Sequence, residues 1–346
     1  MSDITLPKVA DYGRLTHIRA TSPGEIAAAA ARRERRGLPG EGERLLIIAA
    51  DHPARGALAV RDRPLAMASR VDLLDRLRVA LARPGVDGIL ASPDVLEDLL
   101  LLGALEGKLA FGSMNRGGLA GSAFELDDRF TGFDADSIDA MRLDGGKMLC
   151  RIDPSDPATV ATLESCARAV SDLARRRLVA MVEPFWSGRN ESGVVRNDLS
   201  PDAVIKAISI AQALGVTSAY TWLKIPAVAE MERVMAATTL PALLLGGDPP
   251  DIDAAYADWH RALSLPGVRG LVVGRALLYP RTTTWQPRST VPRPWCERFA
   301  HDLPSSRQSR PRPLDGGGHP VLGRLDVFRA AGDGPGRRPG HVRDRR

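Results

Sequence analysis

The chain has 346 residues, 44% hydrophobic but only 5% aromatic, and a formal net charge of +5; that length buries a large core, either as two ordinary domains or as one α/β barrel with extensions. The basicity is local, because 14 Arg and 6 Asp+Glu fall in 281–346 and leave 33 basic and 36 acidic residues in 1–280, a balance of −3. A nucleic-acid partner would rest on that tail alone and is not expected.

The N-terminus lacks a basic segment followed by an apolar stretch, and no apolar run reaches bilayer length, so neither a secretory signal nor a membrane partner is expected. Residues 1–44 read as an extension with a helix at Pro23–Arg36, placed to cover one end of the fold or to make homo-oligomer contacts. From there to 280, short apolar runs alternate with amphipathic segments. Strands are expected at Leu45–Ala50, Gly88–Ala91, Leu109–Ser113, Lys147–Ile152, Leu178–Glu183, Ser218–Lys224, Ala242–Leu245 and Gly270–Val273. Helices are expected at Leu65–Ala82, Asp94–Leu105, Ala158–Arg175, Pro201–Leu214, Ala227–Ala237 and Asp251–Leu263. Ser200-Pro201 and Ser155-Asp156-Pro157 carry start signals, and Gly85 and Gly215 carry stop signals. Eight strands that are apolar on both faces and separated by helices indicate a (β/α)8 barrel over 45–280. An open doubly wound sheet is the rival, but no GxGxxG follows the first strand.

Residues 281–346 are rich in Arg, Pro and Gly, lose hydrophobic periodicity and read as a disordered tail. A barrel needs an eighth helix here. Back-translating Arg281–Arg298 with GC-rich codons gives, in a neighbouring frame, an Asp-rich cap followed by an Ala/Val/Leu helix, so a frame change near Arg281 is the second reading of this segment. Cys150, Cys166 and Cys296 show no metal-type spacing and no even-numbered framework, which fits a reducing cytoplasm.

Chemistry in such a barrel sits where strands end and loops begin. The ends carry Asp51-His52, Lys147 with Asp153, Glu183-Pro184, Lys224-Ile225-Pro226, Gly246-Gly247 and Gly274-Arg275. Lys224 is the outstanding residue: an apolar strand ends in an ammonium, and Pro226 is expected to stop the ladder. Desolvation there would lower the pKa and free the amine as a nucleophile toward a carbonyl. Lys147 nearby would lower it further by like-charge repulsion, Glu183 with a raised pKa would carry protons, and Asp51 would bind or steer a hydroxyl. Gly246, Gly247, Gly274 and Arg275 suit a phosphate. Plainer readings exist for each: a rim salt bridge for Lys224, a Lys147–Glu183 cross-strand pair, a capped turn at Asp51, a tight turn at Gly246-Gly247. His52 adjoins Asp51 without any metal-triad spacing, and no metal or cofactor is expected.

In their order, these segments resemble the class I (Schiff-base) aldolases of the deoxyribose-phosphate and tagatose-bisphosphate aldolase superfamily. Gly146-Lys147-Met148-Leu149 with Asp153-Pro154 is similar to that group's fourth strand, Val182-Glu183-Pro184 to its catalytic glutamate, and Leu223-Lys224-Ile225-Pro226 to its Schiff-base lysine strand. Ala49-Ala50-Asp51-His52 resembles the first strand of archaeal-type fructose-bisphosphate aldolases, whose tyrosine-bearing fifth strand is here Pro184-Phe185-Trp186. The chain also resembles an uncharacterised actinobacterial (β/α)8 branch associated with myo-inositol catabolism. The resemblance implies cleavage of 2-deoxy-5-keto-gluconate 6-phosphate to dihydroxyacetone phosphate and malonate semialdehyde, with a tagatose- or fructose-bisphosphate or deoxyribose-phosphate aldolase as the alternative. A phosphosugar isomerase or lyase acting without covalent catalysis, or a non-catalytic sugar-phosphate-binding barrel, is the rival of another class. Resequencing the gene across codon 281 tests the tail: a frame change restores an Ala/Val-rich helix, whereas a high-coverage read of the present frame removes that explanation.

Overall fold

The computed structural model describes residues 10–247, 249 and 251–280; the expected tail and frame change at 281–346 lie outside the described residues. Among the described residues nine strands form one sheet: β1 Leu45–Ala50, β2 Gly88–Ala91, β3 Leu109–Ser113, β4 Gly145–Ile152, β5 Val179–Arg189, β6 Val195–Asp198, β7 Thr221–Pro226, β8 Ala242–Leu245 and β9 Val268–Val273. Every pairing is parallel except the β5–β6 hairpin, and the β1–β9 and β4–β5 pairings close the other eight strands into a barrel. Helices α1 Gly13–Thr21, α2 Gly24–Arg32, α3 Arg70–Leu81, α4 Pro93–Leu101, α5 Ala135–Ala140, α6 Ala158–Arg175, α7 Pro201–Ala211, α8 Met231–Met235, α9 Ile252–Leu263 and α10 Arg275–Leu278 accompany it. The fold is a (β/α)8 TIM barrel.

Strand period explains how the core divides. On each barrel strand alternate residues face inward, so Leu45, Ile47, Ala49, Leu90, Phe111, Met181, Leu243 and Val272 pack together inside the barrel. The intervening residues, such as Ile48, Met148, Cys150, Val182, Leu223, Ile225 and Leu244, join the larger cluster beneath the helices. Inward parity on β4 assigns Lys147, Leu149 and Arg151 to one line, and register sets Leu149 beside Glu183 of β5. Polar residues therefore enter the barrel only toward the strands' C-terminal ends.

Several boundaries differ from the sequence expectation, for local reasons. Pro184 does not end β5. Ala180 N–H faces β7 and donates to the Tyr220 carbonyl, so Pro184, four residues on, faces the same way. The β5–β7 pairing has already ended at Val182↔Leu223, so its missing N–H costs the ladder nothing. β7 runs two residues past Lys224 and stops at Pro226, in register with Leu245. Residues 218–220 form a turn rather than the start of β7, with Thr221 N–H donating to the Ser218 carbonyl. Helix α3 begins only after Ser69, whose hydroxyl accepts from Asp72 N–H. Helices α1 and α5 and strand β6 were not expected at all, since short elements give little periodicity to read.

The residues before β1 hold the N-terminal ends of the strands. Arg33 is 1% exposed; it donates to the Lys108 carbonyl at 2.7 Å and to the Arg142 carbonyl, and it meets Asp144 at 3.3 Å. Asp144 in turn accepts from Arg35 at 2.9 Å and from Ala110 N–H at 2.8 Å. Arg36 pairs with Asp87, which accepts from Leu46 N–H at 2.8 Å. One arginine run thus ties together the starts of β1, β3 and β4, and α2 packs on α4 beside it. Replacing Arg33 by Met strands two carbonyls and removes one of the three partners of a buried carboxylate. Urea unfolding of Arg33→Met is expected to show a loss of about 3 kcal/mol, and an unchanged midpoint would contradict this account of the clamp.

Candidate functional site

A cavity of about 430 Å³ opens at the C-terminal end of the barrel and is lined by Asp51, His52, Glu183, Lys224, Gly246, Gly247, Gly274 and Arg275 among others. Seven of the eight site residues singled out in the sequence thus share one wall. The eighth, Lys147, lies just below the floor, fully buried, in contact with Asp51 and Glu183.

The centre is a chain of charges. Lys224 Nζ donates to Glu183 Oε1, and the other carboxylate oxygen, Oε2, meets Lys147 Nζ. Lys147 reaches on to Asp51 Oδ2 at 3.3 Å, which also accepts from Ser113 Oγ at 3.3 Å and pairs with Arg116. Lys147, Glu183 and Lys224 come from β4, β5 and β7, three adjacent barrel strands, so the sheet itself fixes their spacing. The cross-strand Lys147–Glu183 pair and the nucleophile-like placement of Lys224 occur together; Glu183 is shared by both lysines.

The electrostatics correct two expectations. Burial pushes the Lys224 amine down, Glu183 resists, and Arg116 and Arg275 add to the lowering. Desolvation is thus the first cause, and the like charges that add most to it are Arg116 and Arg275, where Lys147 was expected. Lys147 itself is held well below its ordinary value, by burial first and then by Arg116. Glu183 goes the opposite way to the raised value expected of a neutral acid. Burial favours its protonated form, but Lys147, Lys224 and Arg116 outweigh that and keep the carboxylate below its usual range. It is held as an anion, in contrast to the protonated acid expected.

The glycine side differs in detail too. Gly246 N–H donates to the Val272 carbonyl at 2.8 Å, so its amide is spent in the ladder and is not a phosphate donor. Gly247 sits at φ +58°, and a Cβ on Gly274 would lie 2.3 Å from the Ala49 carbonyl oxygen; both positions want glycine for the backbone's sake. Arg275 lines the cavity beside them and also donates to the Ala59 carbonyl at 3.4 Å.

Sequence reading missed the connection between β3 and α5. Residues 114–134 bend back over the mouth and bring Arg116 and Glu125 to the cavity. Asn115 extends the β3 edge with its side chain, donating to the Leu149 carbonyl at 2.6 Å and accepting from Leu149 N–H at 2.7 Å. Arg151, inward on β4, is held by Asp128 at 2.7 Å and by Glu125 at 3.3 Å, and Arg55 meets Glu125 at 2.7 Å. The length of the connection was the available signal, since structureless loops that long are usually functional. The β5–β6 hairpin adds Arg196 and Asn197 to the rim. Among the described residues no group of three or more His, Cys, Asp or Glu is placed to hold a metal ion, and no helix is long and apolar enough to cross a membrane.

Glu183→Gln leaves two buried ammoniums without their shared anion. The variant is expected to lose about 3 kcal/mol at neutral pH. Its lysines then have folded pKa values further below the unfolded value of about 10.4, so unfolding takes up protons and stability rises with pH across that window. Urea unfolding from about pH 7 to pH 10 should show the deficit against the parent shrinking; a deficit that does not change with pH would refute the shared-carboxylate account.

The chain is similar to the crystal structure of Cgl0159 from Corynebacterium glutamicum, with 52% identity, 79% of this chain and 93% of that chain covered, and a TM-score of 0.77. A Schiff-base-forming fructose-1,6-bisphosphate aldolase is similar in fold, at 18% identity over 74% of this chain and 94% of that chain, TM-score 0.51. So is the fructose-bisphosphate aldolase from Slackia heliotrinireducens, at 15% identity over 80% and 86%, TM-score 0.53. No curated protein matches. The Cgl0159-like family model matches residues 43–288, which takes in the whole barrel and every residue of the charge chain, and the chain belongs to the Cgl0159-like family.

Proposed function

We propose that this protein is a class I aldolase, a lyase that uses Lys224 as its Schiff-base nucleophile. The observation that carries the reading is the ammonium–carboxylate–ammonium chain Lys224–Glu183–Lys147 at the base of an open cavity. A strand-end lysine that only closed a rim salt bridge would need neither burial nor a second buried lysine behind its partner; here Lys224 is 6% and Lys147 0% exposed. Desolvation lowers the pKa of Lys224 below that of a free lysine, so its amine is more easily freed as a nucleophile. Its lone pair adds to a substrate carbonyl, the carbinolamine loses water, and the resulting iminium accepts the electron pair of the breaking C–C bond. Glu183, an anion between two cations, takes the proton of the hydroxyl whose deprotonation starts that cleavage. Asp51, fixed by Arg116, Lys147 and Ser113, orients a substrate hydroxyl.

A phosphorylated substrate fits the Arg275 side of the cavity, where Gly247 and Gly274 leave the backbone bare. For the substrate we carry forward a phosphorylated keto-sugar or keto-sugar acid, with 2-deoxy-5-keto-gluconate 6-phosphate, cleaved to dihydroxyacetone phosphate and malonate semialdehyde, as the first compound to try. The likeness in fold to aldolases that take fructose bisphosphate makes that ketose the second. A cytoplasmic homo-oligomer is the expected form.

Incubation with dihydroxyacetone phosphate and borohydride is expected to add mass to a peptide containing Lys224. Lys224→Met should give no adduct and lower kcat at least about a thousandfold while thermal unfolding stays cooperative. A folded parent protein that yields no adduct with any compound of a phospho-ketose and keto-acid panel would reject covalent catalysis and leave a non-covalent enzyme or a sugar-phosphate-binding barrel.

A further inference from the structure

An aldolase cycle needs an acid as well as a base, because the carbinolamine hydroxyl must leave as water. The carboxylates that line this cavity are poor candidates. Glu183 is held ionised between Lys147 and Lys224, Asp51 is matched by Arg116 and Lys147, and Glu125 by Arg55 and Arg151. None of the four tyrosines lines the cavity, and the fifth strand carries Phe185 at its mouth.

Among the described residues His52 is the remaining proton carrier on the wall. It begins the short turn after β1, its side chain is 24% exposed, and its Nδ1 is buried with no hydrogen-bond partner. Asp51 Oδ1 lies 3.8 Å from that nitrogen, too far to bond it. Gly274 lets the ring stand close against β9: a Cβ at that position would sit 3.3 Å from His52 Cε1. The ring therefore meets a substrate-sized cavity while its buried Nδ1 has no partner that would fix its tautomer or its protonation state.

We infer that His52 is the general acid of this site and that it acquires its proton only when an anionic substrate group occupies the Arg275 side of the cavity. The inference rests on the aldolase and phosphate reading above. In the empty site the ring is neutral. Burial disfavours its cation most, Arg275 and Lys224 come next and Lys147 adds to them, against Glu183, so its pKa is pushed down to about 3; Asp51, with Oδ1 3.8 Å from Nδ1, is the nearest carboxylate. A phosphate against Arg275 screens the largest of these repulsions and adds negative charge of its own, which raises the proton affinity of the imidazole. Substrate binding then brings one proton in from solvent. The protonated His52 gives it to the carbinolamine oxygen, the C–O bond breaks with its electron pair going to that oxygen, and the lone pair of Lys224 Nζ forms the C=N bond. Water leaves, the positive charge passes from imidazolium to iminium, and His52 ends neutral. The division of labour follows from the surroundings: Glu183 is locked as base, and His52 is charged on demand as acid.

Calorimetry with sulfate as the probe tests this without turnover, since sulfate does not itself titrate in the range used. Titrations of the full chain in buffers of different ionisation enthalpy, at about pH 5.5 and about pH 7, count the protons taken up. The parent protein is expected to take up a measurable fraction of a proton on binding sulfate, more at the lower pH, and His52→Gln and His52→Asn should bind sulfate and lose that uptake. Uptake that survives in both variants and disappears in Lys224→Met assigns the proton to the lysine and overturns the proposal. So does sulfate binding without uptake, and a parent protein that fails to bind sulfate removes the anion site and the coupling together. The borohydride adduct at Lys224 is independent of all these outcomes, so the aldolase reading stands or falls separately.

Discussion

Two ammoniums sharing one carboxylate at the inner mouth of the barrel are the constraint on which the site depends. A lone buried lysine would shed its proton or drag water inward, and a lone buried glutamate would do the converse. Glu183 between Lys147 and Lys224 satisfies each charge with another. The arrangement is tolerable only because three neighbouring parallel strands hold their side chains at fixed spacing, and because Asp51 and Arg116 continue the alternation of sign beyond Lys147. Desolvation lowers the proton affinity of the Lys224 amine, and the surrounding cations, against desolvation, keep the Glu183 carboxylate ionised.

The two ends of the barrel handle charge differently. At the strands' N-terminal ends, Arg33, Arg35 and Arg36 meet Asp144 and Asp87, and these carboxylates also accept backbone N–H groups. Those charges are consumed by the fold. At the other end the charges line a cavity, and His52 keeps an unbonded ring nitrogen there. Opposing demands of stability and reactivity are thereby separated along the barrel axis, as expected where the loops at one face carry function.

Much of this was readable in the chain. β1, β2, β3 and β8 fall where alternation and apolar runs set them, because a buried parallel strand must be apolar on both faces and the chain must break its pattern to leave the sheet. Gly85 and Gly215 adopt the positive φ of helix stops. The line of strand-end residues was legible for the same reason: a polar residue closing an apolar strand has few places to go in a closed barrel. Arg116 and Glu125 were not legible, since they lie in a long connection whose path depends on partners such as Arg151 and Asn115 rather than on any local repeat.

By itself, then, the sequence determined the barrel, the strand that carries each titratable group and the end at which those groups gather, because side-chain parity and strand order are local properties of the chain. Only the tertiary structure decided their protonation. The sign of the Glu183 shift, the spent amide of Gly246 and the unpartnered Nδ1 of His52 depend on which charges and carbonyls stand within a few ångströms. Electrostatic free energies fall with distance through a medium whose polarity is itself set by packing, and neither quantity is written in the order of residues along the chain.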